Sequence, residues 1–163
     1  MNRKHFLSAI SLVPFSYGLG NTVIPTKPVI QEKPGSLDGV LVKEFVIAGH
    51  SDLEKLKQML DFTPGLLNSS WDWGAGDFET ALEGAGHMGR TDIAQYLISK
   101  GGRINLFCAA MLGNLEMVKS TLSTYPSLKD SKGPHGLKLK HHAEKGGENA
   151  REVLEYLIRI DAS

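Results

Sequence analysis

A pattern of apolar and polar positions, ten residues long, occurs four times along the chain. Segments 51–60 and 113–122 share four identical residues, and segments 89–98 and 149–158 follow the same frame. In each segment, apolar or small side chains tend to lie four, five, eight and nine residues after the first position. That spacing places them along one side of a helix about two and a half turns long. The pattern therefore predicts four amphipathic helices.

A second, shorter helix is predicted before each of these four. Residues 80–89, 106–113 and 139–146 show its pattern clearly, and residues 42–50 show a degenerate version. Small residues recur at one place in all four copies, namely Ala48, Ala85, Ala109 and Ala143. Because small side chains let helices approach closely, we expect four helix pairs in which adjoining pairs are in contact.

Residues suited to capping mark several helix ends. Asp52, Thr91 and Asn114 lie at the predicted starts of three of the longer helices, where side-chain oxygens can accept hydrogen bonds from free backbone amides. Residues 101–102 (Gly-Gly) and 125–126 (Tyr-Pro) are predicted to end the helices that precede them.

Two motifs resemble those of ankyrin repeats. Residues 80–86, Thr-Ala-Leu-Glu-Gly-Ala-Gly, are followed by Gly89 and resemble the ankyrin pattern T-P-L-H-x-A-A-x-x-G. Residues 101–105, Gly-Gly-Arg-Ile-Asn, resemble the pattern G-A-x-x-N that closes a repeat. The resemblance implies an all-α fold, an ankyrin-type helix-turn-helix solenoid of about four repeats. The implied repeats lie within a domain of residues 39–163, at about 40–71, 76–105, 106–131 and 134–163.

The chain departs from the ankyrin pattern at several points. Ala81 stands in place of the proline, and Glu83 stands in place of the histidine that normally bonds across the turn. The longer helices are predicted to start at 51, 89, 113 and 149, so their spacings are 38, 24 and 36 residues, against an ankyrin period of about 33. We therefore expect the third copy to lack its hairpin loop. Another kind of helix-pair repeat is the alternative fold.

The N-terminal residues resemble an export signal. Arg3 and Lys4 precede an apolar run over residues 6–13, and Gly18-Leu19-Gly20 follows with the small-x-small pattern of a cleavage site. Residues 1–20 are therefore predicted to be a signal peptide, and residues 21–38 a proline-rich tether. This predicts export, to the periplasm. The alternatives are a cytoplasmic chain, or one tethered to a membrane by an uncleaved N-terminus.

Composition narrows the classes of partner. The 18 basic and 18 acidic residues give a formal net charge of zero, which does not indicate nucleic-acid binding. Cys108 is the single cysteine, so no intramolecular disulfide forms. No membrane span is expected in the mature chain, because the N-terminal apolar run is too short to cross a bilayer comfortably.

Candidate partner contacts come from loops and from the short helices. Trp71, Trp73 and Asp77 lie in the loop predicted between the first two copies, where exposed aromatic residues are typical interface anchors. The alternative is that both tryptophans fold back onto the first helix pair. The ankyrin resemblance implies a concave surface with further contacts, namely Glu83, His87, Phe107, Met111 and His135.

The sequence contains two candidate reactive sites, a histidine cluster and Cys108, but neither has the pattern that its chemistry requires. His135, His141 and His142 with Asp130 suggest a metal site, but adjacent residues on a helix point about 100° apart and do not share an ion easily. Cys108 is expected to be a buried structural thiol, because nothing in the sequence supplies a third member for a Cys108–His87 nucleophile. We therefore predict no catalytic residue, no metal site and no cofactor.

The function predicted from the sequence is a non-catalytic, monomeric module that binds a protein partner through its concave face and loop tips. A redox or metal accessory protein that uses Cys108 or the histidines is the alternative. A purely structural role on a membrane is a third hypothesis.

Overall fold

The computed structural model describes residues 35–162. These residues are mostly helical with little strand, which confirms the all-α prediction at that level. The elements, in chain order, are α1 (Gly39–Ser51), α2 (Leu53–Phe62), β1 (Ser70–Asp72), β2 (Phe78–Thr80), α3 (Ala81–Met88), α4 (Thr91–Ser99), α5 (Leu106–Met111), α6 (Leu115–Thr124), α7 (Leu139–Gly146) and α8 (Arg151–Asp161).

The helices form four consecutive pairs, as the repeated pattern predicts. In each pair the first helix packs on the second, and the first helices α1, α3, α5 and α7 pack on one another in that order. The prediction of a shorter first helix is wrong for the first pair, because α1 has 13 residues and α2 has 10. Apolar side chains between these helices form two buried clusters. One contains Phe45, Leu56, Ile93 and Leu97, and the other contains Val118, Leu139, Val153 and Leu157.

Helix α3 also contacts α7, two pairs further along the chain. A regular solenoid has contacts only between neighbouring repeats, so this contact is a departure from that arrangement. The ring nitrogen Nε2 of His141 on α7 lies 3.1 Å from the backbone carbonyl of His87 on α3. The intervening α5 has only six residues. The second and fourth helix pairs are therefore in direct contact.

Two of the three predicted caps are confirmed. The carboxylate of Asp52 and the amide oxygen of Asn114 each accept a hydrogen bond from a backbone N–H in the first turn of the following helix, at 2.9 and 3.0 Å. The prediction for Thr91 is wrong, because Arg90 holds the capping position and Thr91 is already inside the helix. The Thr91 hydroxyl instead lies 3.6 Å from the sulfur of Met111.

The segment predicted as a loop around Trp71–Asp77 forms a β-hairpin. Strands β1 and β2 pair antiparallel, with Trp71 opposite Glu79. The carboxylate of Asp72 accepts hydrogen bonds from the backbone amides of Gly74 and Gly76, at 2.8 and 3.2 Å. These bonds close the tip of the hairpin without help from the rest of the fold.

The third helix pair has no such hairpin before it. Only the short segment 100–105 joins α4 to α5, and it contains no strand. Before the fourth pair, an isolated bridge between Lys132 and Lys138 closes a turn around Pro134–Gly136. Because no hairpin stands between them, this turn and the β1–β2 hairpin meet.

The predicted signal peptide and nearly all of the predicted tether lie outside the described residues. The last tether residue, Asp38, caps α1 by accepting hydrogen bonds from the amides of Val40 and Leu41, at 2.7 and 3.1 Å. Within residues 35–162, every helix is too short or too polar to cross a membrane.

Candidate metal centre

Four side chains from separate parts of the chain converge at one end of the fold: His50, Glu79, His87 and His135. Each offers one donor atom, and these atoms all lie within 4.8 Å of one another. His50 lies in the last turn of α1, Glu79 in the middle of β2 and His87 in the last turn of α3. His135 lies in the turn that precedes α7.

Several of the distances between the donor atoms are close to those in a ligand shell. The Nε2 atoms of His50 and His87 are 3.1 Å apart. Oε2 of Glu79 lies 3.3 Å from Nε2 of His50 and 3.4 Å from Nε2 of His135, and Oε1 lies 2.8 Å from Nε2 of His87. A tetrahedral zinc ion with bonds of about 2.0–2.1 Å separates its donor atoms by about 3.3–3.4 Å. The His50–His87 separation and the two separations from Oε2 are close to that value, whereas the 2.8 Å contact involves the other carboxylate oxygen.

The Glu79 carboxylate is fully buried, and one of its oxygens is not satisfied. The side chain has no exposed surface, and Oε1 has no hydrogen-bond partner although Nε2 of His87 is only 2.8 Å away. The two atoms are close enough for a hydrogen bond but lack its geometry. A buried carboxylate oxygen without a partner is costly, and a cation bound between it and the imidazole nitrogens would satisfy it.

The other ring nitrogen of two histidines is fixed by an acceptor. Nδ1 of His50 lies 2.9 Å from the carbonyl oxygen of Val46, and Nδ1 of His135 lies 2.9 Å from Oδ2 of Asp77. Neither oxygen has a proton to donate, so each Nδ1 must carry the hydrogen. In the neutral ring the Nε2 lone pair then faces the centre. Metal-binding histidines in proteins are normally held by such a carbonyl or carboxylate.

Trp73 forms one side of the centre. Its indole N–H donates a hydrogen bond of 2.8 Å to Oε2 of Glu79. The ring lies edge-on to His50 and is tilted towards His135, with centroids 6.4 and 6.0 Å apart. The indole therefore orients the carboxylate and covers part of the space between the two histidine rings.

The charges in the cluster are strongly coupled. Burial alone raises the pKa of Glu79, but its contacts with His50 and His87 outweigh burial and hold that pKa well below its ordinary value. The contact with Glu79 in turn raises the pKa of His50 above its ordinary value, against the opposing effect of burial. The carboxylate is therefore ionised at neutral pH.

His135 is held in an unusual backbone conformation. Its φ angle is +58°, a left-handed region that side chains other than glycine rarely adopt. Asp77 stabilises it twice, because Oδ1 accepts the backbone N–H at 2.9 Å and Oδ2 accepts the ring Nδ1–H at 2.9 Å. Backbone strain of this kind is concentrated at functional sites.

A capping box and a glycine in α3 help to position His87 and His50. Thr80 and Glu83 form a reciprocal capping box at the start of α3, which fixes the helix that carries His87. Gly84 gives the His50 ring its space, because an added Cβ atom would lie 2.8 Å from two atoms of that ring. A glycine in the middle of a short helix is unfavourable in itself, so the close approach of the imidazole explains its presence.

The eight predicted contact residues do not form one surface in the structure. Trp73, Asp77, His87 and His135 come together at the centre. Trp71 is partly buried on the first helix pair, with Lys43 over its ring. Glu83 is engaged by Thr80 and Asn105. Phe107 is half-buried beside His142, and Met111 is fully buried in the core.

The sequence did not identify His50 or Glu79 as a metal ligand. His50 is separated from His135 by most of the domain, and no fixed spacing connects the four ligands. One feature of the sequence could have indicated that these residues meet, namely the short spacing before the third copy. The third helix pair has no hairpin of its own, so no hairpin lies between Glu79 and His135.

The histidine group considered from the sequence does not form a site. His141 faces the backbone carbonyl of His87, whereas Nδ1 of His142 donates to the carbonyl of Lys138 at 3.0 Å. Asp130 pairs with Lys138 at 3.6 Å. Of that group, only His135 joins the centre.

Cys108 is a buried thiol. Burial, with a smaller contribution from the charge of Glu83, raises its pKa to about 12, so the reactive thiolate is scarce at neutral pH. Within residues 35–162, no hydrogen bond joins the thiol to His87, whose ring faces His50 and Glu79. The geometry gives Cys108 no activating base.

Comparison with known proteins finds no matching family, no matching curated protein and no matching solved structure. The candidate function therefore depends on the geometry of the chain itself.

Proposed function

We propose that this protein binds one divalent transition-metal ion, of the zinc class, through His50, Glu79, His87 and His135. The observation that carries the proposal is the convergence of three imidazole Nε2 atoms on a fully buried carboxylate, whose oxygens lie 2.8–3.4 Å from them. Imidazole and carboxylate together form a common donor set for Zn²⁺.

The donor set favours a structural ion over a catalytic one. Four protein donors fill a tetrahedral shell, whereas catalytic zinc keeps one position for water or substrate. The acceptors on the second ring nitrogens of His50 and His135 give the ligands a fixed orientation. The protein proposed is therefore a metal-binding module without enzymatic activity.

The metal centre is proposed to belong to an ankyrin-type solenoid. Four helix pairs, the hairpin before the second pair and the capping box at Thr80 support this interpretation. Export through residues 1–20 and location in the periplasm remain part of the proposal, on the pattern of those residues alone.

Recognition of a protein partner is the second candidate function. Phe78 is 58% exposed and Trp73 is 37% exposed, and both lie on the β1–β2 hairpin beside the metal centre. Exposed aromatic residues at a loop tip are typical anchors of a protein interface. The metal ion in this view supports the surface that the partner contacts.

Calorimetric titration tests metal binding. The full-length chain is stripped with a chelator, dialysed and titrated at pH 7.5 with Zn²⁺, and separately with Ca²⁺ as a cation that prefers oxygen ligands. We expect saturable binding of one Zn²⁺ per chain, in the micromolar range or tighter, and no comparable binding of Ca²⁺. The absence of saturable Zn²⁺ binding would contradict the proposal.

A further inference from the structure

We propose that the metal ion acts as a removable clasp, which fastens the turn at residues 132–138 to the β1–β2 hairpin and so sets the shape of the loop-tip surface. This inference depends on the proposed metal binding and adds its regulatory consequence. Loading with the ion closes this end of the fold, and removal of the ion opens it.

Three of the four ligands belong to a rigid framework. His50 and His87 lie on α1 and α3, which pack against each other along their length. Glu79 lies on the strand that leads directly into α3. These three donors therefore keep their positions without the ion and form an incomplete, preformed site.

The fourth ligand lies on a turn that is anchored by buried Pro134, but its polar attachment to the hairpin depends on one side chain. Among the described residues, every hydrogen bond and ion pair between the hairpin and the turn is made by His135, with Asp77 or Glu79. The His135 side chain is 34% exposed, so water competes for these contacts.

A metal ion adds a bond at the point where closure is weakest. Coordination of Nε2 draws His135 towards the three preformed donors and replaces its 3.4 Å contact with Glu79. Asp77 then holds the opposite ring nitrogen and the backbone amide of the same residue. The ion therefore favours the closed turn over conformations in which solvent hydrates His135.

Closure of the turn determines which groups a protein partner can contact at this surface. The hairpin carries the exposed rings of Trp73 and Phe78, and the turn lies next to Trp73 through its contact with His135. In the closed state these groups form one surface, and in the open state the turn moves independently. A ligand that binds only the closed state shifts the equilibrium towards it.

Hydrogen exchange measured by mass spectrometry tests the clasp. The full-length chain is compared with and without saturating Zn²⁺, and native mass spectrometry of the same samples reports the number of ions bound. We expect exchange of the His135 amide, measured in peptides covering residues 132–138, to slow at least tenfold with Zn²⁺, because this amide donates across to Asp77 on the hairpin when the turn is closed. The amides of Gly136 and Leu137 donate to carbonyls within the turn itself and serve as internal references. Peptides from α6, which is remote from the centre, should not change.

The variant His135→Ala separates the clasp from metal binding. It should retain weaker Zn²⁺ binding through the three framework ligands but lose the protection of residues 132–138. One bound Zn²⁺ with unchanged exchange in the wild-type turn would overturn the clasp and leave the proposed function intact. No bound Zn²⁺ would overturn both.

Discussion

Glu79→Gln removes the stabilisation of the fold by zinc. At a Zn²⁺ concentration about a hundred times the dissociation constant, the wild-type protein should gain about 2.7 kcal/mol in free energy of unfolding. For a chain of this size that gain raises the melting temperature by roughly 10 °C. Glutamine keeps the shape of the side chain and an oxygen that can accept from Trp73, but it lacks the charge that binds the ion. We therefore expect its melting temperature to be nearly the same with and without Zn²⁺.

Glu83→Gln is the matched control for this experiment. Glu83 lies four residues further along the chain and serves the capping box with Thr80, a role that glutamine can fulfil. Its variant should keep the full zinc-dependent rise in melting temperature. Equal responses to Zn²⁺ in Glu79→Gln and the wild-type protein, measured by differential scanning calorimetry, would show that Glu79 does not bind the ion.

Gly113→Ala should destabilise the fold severely, because it affects the contact between the third and fourth helix pairs. Gly113 has a φ angle of +75°, which alanine adopts only with strain. An added Cβ atom would also collide with the backbone carbonyl of Asn149. Backbone does not move aside as a flexible side chain does, so we expect a loss of at least about 3 kcal/mol in the free energy of unfolding, measured by urea denaturation.

Gly101→Ala isolates the backbone contribution. Gly101 also has a positive φ angle, of +96°, but the nearest atom to an added Cβ atom is a methyl carbon of Leu67 at 3.9 Å, an ordinary contact distance. It ends α4 in the left-handed conformation typical of a helix C-terminus, with the amide of Gly102 bonded to the carbonyl of Leu97. Its variant should lose only about 1–2 kcal/mol, the cost of the left-handed conformation alone. Equal free energies of unfolding for the two variants would contradict the close approach of residue 113 to the backbone of residue 149.

The helix pairs were predictable because the information that specifies them is local. Apolar residues recur at helical spacing within each short segment, and Asp52 and Asn114 cap the helices that follow them. The hairpin was harder to predict. Its strands have three residues each, and the turn between them is closed by Asp72 accepting from glycine amides. Such short strands leave no alternating pattern long enough to recognise.

The proposed metal centre was not predictable because tertiary packing brings its residues together. His87 and His135 were identified as candidates for partner contacts, but their shared role requires Glu79 and His50 between them. The four residues meet because the third copy lacks a hairpin and α5 is short, so that the second and fourth pairs touch. The sequence shows the shortened spacing, but it does not show which side chains fill the space that results.

The X-ray absorption spectrum of the full-length chain loaded with one equivalent of Zn²⁺ tests the central claim most directly. The structure predicts four light-atom ligands at about 2.0–2.1 Å, with the multiple-scattering signal of three imidazole rings. It also predicts the loss of one imidazole signal in His135→Ala. A spectrum with a sulfur ligand, or with six oxygen ligands and no imidazole, would contradict the assignment of His50, Glu79, His87 and His135 as the metal site.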